Sequence, residues 1–131
     1  MRYHLDTDFL VYAVSQAGPE RRLLLELAGS DVEIQISAVA WYEFSRGPRT
    51  PEQLAAARSV FFEDGIVGFS EELATAGAES FRRLGSPRRR AADIAIGVTA
   101  AALDAVLLTR NARDFAGIDG LRLKVAAGRG G

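Results

Sequence analysis

The stretch that decides how this chain is read is Ala92–Phe115, ADIAIGVTAAALDAVLLTRNARDF. It opens with an acid, passes through a helix of apolar and small residues into a short buried strand, and closes on a polar turn carrying Asn111 and Asp114. Carboxylates stand at both ends. An apolar segment flanked by Asp93 and Asp114 is costly to bury unless something pairs with the charge. The expectation is that a metal ion does.

Working outward, Arg2–Leu5 reads as a strand with Tyr3 and Leu5 on one face, ending abruptly at Asp6-Thr7-Asp8. Asp8 or Thr7 can cap a following helix, FLVYAVSQA, which Gly18-Pro19 terminates. A second helix, Glu20–Ala28, carries Leu23, Leu24 and Leu27 at helical spacing and stops at Gly29. Val32, Ile34 and Ile36 alternate with Asp31, Glu33 and Gln35, the period of a strand, and Ser37 caps AVAWYEFSR with Glu43 in its second turn. After breaks at Gly47-Pro48 and Thr50-Pro51, a helix is expected over Glu52–Asp64 with Leu54, Ala57 and Phe61 inward. Gly65–Phe69 is a strand candidate. Ser70 caps a helix over Glu71–Leu84, Gly85-Ser86-Pro87 breaks it, and Arg88-Arg89-Arg90 lead into the helix beginning near Ala91. Ala105–Thr109 is the buried strand, Asn111–Phe115 a turn or single helical turn, and Leu121–Val125 a last strand.

Strands alternating with helices predict an α/β fold: one domain over residues 1–125 with a parallel sheet of four to five strands and helices on both faces. Residues 126–131 read as a frayed tail. In such sheets the ligand crevice lies beyond the carboxyl ends of the strands. Asp6 directly follows the first strand, Glu43 sits near the start of the helix after the second, and Asp114 follows Ala105–Thr109. Asp93 opens a helix that runs antiparallel to the strands, so its start lies at the same rim. All four acids converge there. Carboxylates in one crevice repel one another, and a hard divalent ion such as Mg2+ or Mn2+ removes the repulsion while binding through oxygen.

These segments resemble a known family. HLDTDFLVYA, ISAVAWYEFSRG and AADIAIGVTAAALDAVLLTRNARDF are similar to the three signature segments of PIN-domain ribonucleases, and TRNARDFAGIDGLRL is most similar to the VapC toxins of bacterial type II toxin–antitoxin pairs. The likeness runs from Tyr3 to Val125. It implies that Asp6 and Asp93 are the principal metal-contacting carboxylates and that Glu43 and Asp114 complete the acidic set. Thr109 and Asn111 match polar positions that hydrogen-bond around the site. At Asp8 the family more often has Asn or Ser, so this chain carries an additional acid there. The implied activity is Mg2+-dependent (or Mn2+-dependent) hydrolysis of RNA phosphodiesters. The implied partners are a cognate small DNA-binding antitoxin, which places a basic side chain in the acidic pocket, and a second copy in a homodimer.

Composition agrees with a globular protein of 131 residues: 48% of residues are apolar and the formal charge is −1. No cysteine is present, which excludes disulfides, thiolate zinc sites and a cysteine nucleophile. No apolar run approaches the ~20 residues of a membrane span, and no signal-peptide pattern opens the chain, so a cytoplasmic protein without membrane association is expected. Fifteen of the 16 basic residues are arginine. Arg88, Arg89 and Arg90 are candidates to grip RNA phosphates, against the plainer reading of a solvated face. His4 reads as a strand residue, and Trp41, Tyr42 and Phe44 as core or protein-interface residues. Two other functions fit parts of the sequence. L-D-T-D-F also resembles the strand-end motif of haloacid-dehalogenase-type phosphatases, but those need a lysine before the last acidic motif, and Lys124 follows Asp114. The other alternative is a PIN fold that binds without catalysis.

Overall fold

The computed structural model describes residues 1–126. Arg2–Leu5 forms the central strand, β1, of a five-stranded parallel sheet. The other elements in chain order are α1 (Thr7–Ser15), α2 (Pro19–Ala28), β2 (Glu33–Ser37), α3 (Ala38–Ser45), α4 (Pro51–Ser59), β3 (Ile66–Val67), α5 (Glu71–Arg83), α6 (Ala91–Ala102), β4 (Val106–Thr109) and β5 (Arg122–Val125), with 3-10 turns at Arg88–Arg90 and Ala112–Phe115. The order across the sheet is β3-β2-β1-β4-β5. Successive connections from β1 lead outward to β2 and β3, and the long connection through α5 and α6 then returns across to β4. Since parallel crossovers are right-handed, that reversal puts α5 and α6 on the face opposite α1 and α2. It also creates a switch point at the carboxyl ends of β1 and β4.

The two middle strands are in register Tyr3↔Val106, His4↔Leu107 and Leu5↔Leu108. Leu5, Leu107, Leu108, Ile34 and Ile36 are buried together with Phe9, Phe44 and Phe115. His4 is fully buried, and its Nε2 meets Gln35 Oε1 on β2 at 2.9 Å. Burial, partly opposed by that hydrogen bond, keeps its imidazole below the usual pKa, so it serves the core. Trp41 stacks on Phe44 with ring centroids 5.7 Å apart and meets Phe61 edge-on at 6.2 Å. Tyr42 is not part of the core: it stands 66% exposed, which of its two expected roles leaves the protein interface.

Gly97 explains how tightly α6 lies against the segment after β4. A Cβ there would come within 2.5 Å of Ile118 Cδ1 and 3.2 Å of Leu121 Cδ2. Gly97→Ala is therefore an overpacking substitution, expected to cost about 1–3 kcal/mol in urea unfolding with little change in the fold.

The elements differ from the sequence expectations in four places. Helix α1 is capped by Asp6 rather than Thr7 or Asp8: the Asp6 carboxylate accepts from the Thr7 backbone N–H at 2.7 Å. Helix α4 ends at Ser59, short of Asp64, because the Arg58 guanidinium donates to the carbonyls of Phe61, Phe62 and Glu63 and folds the chain over. This leaves β3 as a two-residue strand rather than Gly65–Phe69. Ala126, expected at the head of a frayed tail, is buried against the core, and residues 127–131 lie outside the described residues. No helix among the described residues is long and apolar enough to cross a membrane.

Candidate metal centre

The β1–β4 ladder continues one step past β1, where the Asp6 N–H donates to Leu108 O at 2.9 Å. This brings Asp6 beside Thr109, whose hydroxyl donates to Asp6 Oδ2 at 3.0 Å. The other carboxylate oxygen, Oδ1, accepts the capping bond from Thr7. Both groups are buried, and Asp6 is thus fixed by one bond to each oxygen. At the end of β2, Ser37 caps α3 by accepting from the Ala40 N–H. Two turns of this short helix carry Glu43 toward β1, where Thr7 Oγ1 donates to its carboxylate at 2.8 Å. Asp8 follows in the first turn of α1, and Asp93 in the first turn of α6.

The connection after β4 completes the rim. Thr109 Oγ1 accepts from the Asn111 N–H at 3.1 Å, and Asn111 Oδ1 accepts from the Arg113 N–H at 3.3 Å, capping the 3-10 turn that carries Asp114. Asn111 itself is exposed, so it shapes the loop. Arg90 braces the same loop: its guanidinium donates to the backbone carbonyls of Asp114 and Ala116.

Asp6, Asp8, Glu43, Asp93 and Asp114 line a single cleft of about 310 Å³, with Thr7, Val11, Arg46 and Arg49. The four acids singled out by sheet-edge geometry are thereby brought together, and Asp8 joins them. Arg88 and Arg89 are exposed on their 3-10 turn and are not part of the cleft lining, and Arg90 is engaged with the loop. Sequence reasoning missed three residues here. Thr7 was seen only as a helix cap, and Arg46 and Arg49 were not singled out.

The electrostatics follow from this crowding. Burial pushes the Asp93 carboxyl up to about 7, and the charges of Asp6, Asp114, Glu43 and Asp8 push the same way. Asp6 is raised to about 6, first by burial and then by Asp8 and Glu43, against the two hydrogen bonds that favour its charged form. Such a set fits a hard divalent cation: all donors are oxygen, and among the described residues no hydrogen bond eases the Asp93 charge. Among the described residues no three acid or histidine side chains stand close enough to enclose an ion by themselves. Mg2+ typically takes one or two carboxylates and keeps several waters, so it needs no closed cage. The chain's single lysine, Lys124, lies on β5 in a separate depression with Arg22 and Glu26. The cleft therefore lacks the lysine that a haloacid-dehalogenase-type phosphatase requires.

A family model described as PIN domain matches residues 3–121. The chain belongs to the PIN domain family. No curated protein matches it. Among solved structures, this PIN domain resembles a chain in VapBC2 from Rickettsia felis bound to a promoter DNA fragment, with a TM-score of 0.75 and 25% identity over 97% of this chain and 100% of that one. It also resembles a chain in a toxin–antitoxin complex from Klebsiella pneumoniae, with a TM-score of 0.70 and 25% identity over 95% and 96% of the two chains. The fold recurs in DNA-bound VapBC from Salmonella typhimurium, with a TM-score of 0.71 at 18% identity over 95% and 98%. These likenesses support a VapC-type PIN domain.

Proposed function

We propose that this PIN domain is a VapC-type toxin: a cytoplasmic endoribonuclease that hydrolyses RNA phosphodiester bonds with Mg2+, or Mn2+, and is neutralised by a cognate antitoxin. The observation that carries the reading is the gathering of five carboxylates from four separate chain segments at the switch point of the sheet. The VapBC and toxin–antitoxin neighbours support an antitoxin partner; the family resemblance implies a small DNA-binding protein that would place a basic side chain in the acidic cleft. A homodimer accompanies this reading.

Asp6 and Asp93 would hold the ion, with Glu43, Asp114 and Asp8 around it. When bound, a divalent ion offsets the acids' charge, polarises the phosphodiester and lowers the pKa of water. The chain's own residues prepare that chemistry. Thr109 and Thr7 hold Asp6 in its charged form and fix its direction. Thr7 also restrains Glu43, keeping in the cleft an acceptor that can orient a water or relieve it of a proton. Asp114 adds a further carboxylate to the cleft from a turn that Arg90 braces.

The direct test is thermal melting with and without divalent ions, paired with an RNA cleavage assay. A ligand at a hundred times its Kd stabilises the folded state by about 2.7 kcal/mol, so millimolar Mg2+ or Mn2+ is expected to raise the melting temperature by several degrees. EDTA is expected to abolish cleavage. A chain whose melting is indifferent to both ions, and which cuts RNA equally in EDTA, is not this enzyme. Mapping new RNA 5′ ends after induction in cells would identify the substrate.

A further inference from the structure

We propose that Arg46 and Arg49, on and after the last turn of α3, grip the RNA phosphates flanking the bond that is cut in the acidic cleft. This rests on the ribonuclease reading above. They are the two cations among the residues lining the cleft, facing five carboxylates there. Neither is spent on an acid: the ion pairs among the described residues use Arg2, Arg83, Arg110 and Arg122.

Aromatic faces hold them instead. The Arg46 guanidinium carbon lies 5.8 Å from the centroid of the Tyr42 ring, and that of Arg49 lies 4.9 Å from the Phe44 ring. Arg49 is further seated by a bond from Nη1 to Pro48 O at 3.2 Å. Gly47 leaves it room, since a Cβ there would stand 3.0 Å from Arg49 Nη2. Its Nε is buried without a hydrogen-bond partner. With the Arg46 donors and Arg49 Nη2 carrying no hydrogen bond among the described residues, guanidinium groups pre-positioned against rings are suited to phosphate oxygens.

The cleft requires such a device. An ion at its centre offsets part of the acidic charge, but a strand of RNA brings a charged phosphate at every nucleotide, and those beside the scissile one still meet carboxylates. Arg46 and Arg49 supply attraction at that point. Exposed Tyr42, under Arg46, adds a ring face on which an unpaired base can stack.

The test is steady-state cleavage of a single-stranded, fluorophore-quencher RNA oligonucleotide by Arg46→Gln, Arg49→Gln and the double variant over a range of NaCl. Each single substitution is expected to raise KM about tenfold with kcat within about twofold. Each should also flatten the log–log dependence of kcat/KM on salt by about 0.7. Arg46→Lys and Arg49→Lys keep the charge and are expected to restore the salt slope, which a merely structural role would not do. Divalent-ion stabilisation stays at the wild-type level in all variants. Unchanged KM and salt slope in both glutamine variants of an active enzyme would overturn the proposal. So would altered inhibition by the antitoxin with RNA kinetics intact, which would make this lip a protein-binding surface. Wild-type protein that neither binds nor cuts the oligonucleotide overturns the ribonuclease reading itself, and the phosphate grip with it.

Discussion

Asp93→Asn is expected to abolish RNA cleavage, with a fall of at least about 10²–10³-fold in kcat, while leaving the metal-free protein as stable as wild type or more so. The substitution keeps the shape of the side chain at the start of α6 and removes a charge that four neighbouring acids repel. The stability effect has a defined pH signature. Asp93 has a folded pKa of about 7 and Asp6 of about 6, against the usual 3.8. The folded state therefore holds these protons more tightly than the unfolded chain. Their contribution is fully present below about pH 3.8 and is lost as pH rises through 6 and 7. In EDTA, wild-type protein should melt at lower temperature at pH 8 than at pH 5 on account of these groups. Asp93→Asn should flatten that difference and blunt stabilisation by Mg2+ at pH 8. Full cleavage activity in carefully purified Asp93→Asn protein would remove Asp93 from the site.

The second large effect is expected from a residue that carries no charge. Thr109→Val nearly preserves volume in a fully buried position but removes the hydroxyl that donates to Asp6 Oδ2 and accepts from Asn111 N–H. One substitution thus releases both the carboxylate proposed to hold the metal and the loop that leads to Asp114. Losing an outer-shell partner of this kind typically costs 10–100-fold in metal affinity or activity, and about that loss is expected here. The Thr109 bond also lowers the Asp6 pKa, so its removal should move the acidic limb of the pH–rate profile upward. Thr109→Ser should restore much of both. A valine variant with wild-type Mg2+ dependence and an unmoved acidic limb would reduce Thr109 to a packing residue.

What could be read from the amino-acid order alone was whatever local chemistry dictates. Ser37 and Ser70 cap the helices that were expected to follow them, because an oxygen placed just before an apolar periodic run has backbone donors to satisfy. The alternation over Val32–Ile36 specified a strand, and the position of each acid after a strand or at a helix start placed it on one rim. Asp6 shows where such reasoning falls short. Thr7 and Asp8 were the expected caps of α1, whereas Asp6 caps it, held in place by the β1–β4 pairing that pins it beside Thr109. The end of α4 is not legible in the sequence, because Ser59–Asp64 contains nothing that forbids a helix. The stop comes from the Arg58 side chain reaching forward to three carbonyls. Arg46 and Arg49 were inconspicuous beside the run Arg88–Arg90, since charge density along the chain says nothing of which arginine the fold carries to the cleft.

The ladder that joins Asp6 to Thr109 links residues 103 positions apart, and it occupies the middle of the sheet. The centre is therefore stitched by partners among the most widely separated in the chain, an arrangement that folds slowly because loop closure must precede the contacts that repay it. During translation, the first aspartate emerges long before the threonine that will seat it. A nascent polypeptide would thus present scattered acids and no assembled catalytic centre. The proposed ribonuclease would be harmless to the ribosome producing it until its fourth strand docks, leaving an interval in which an antitoxin synthesised alongside could already be waiting.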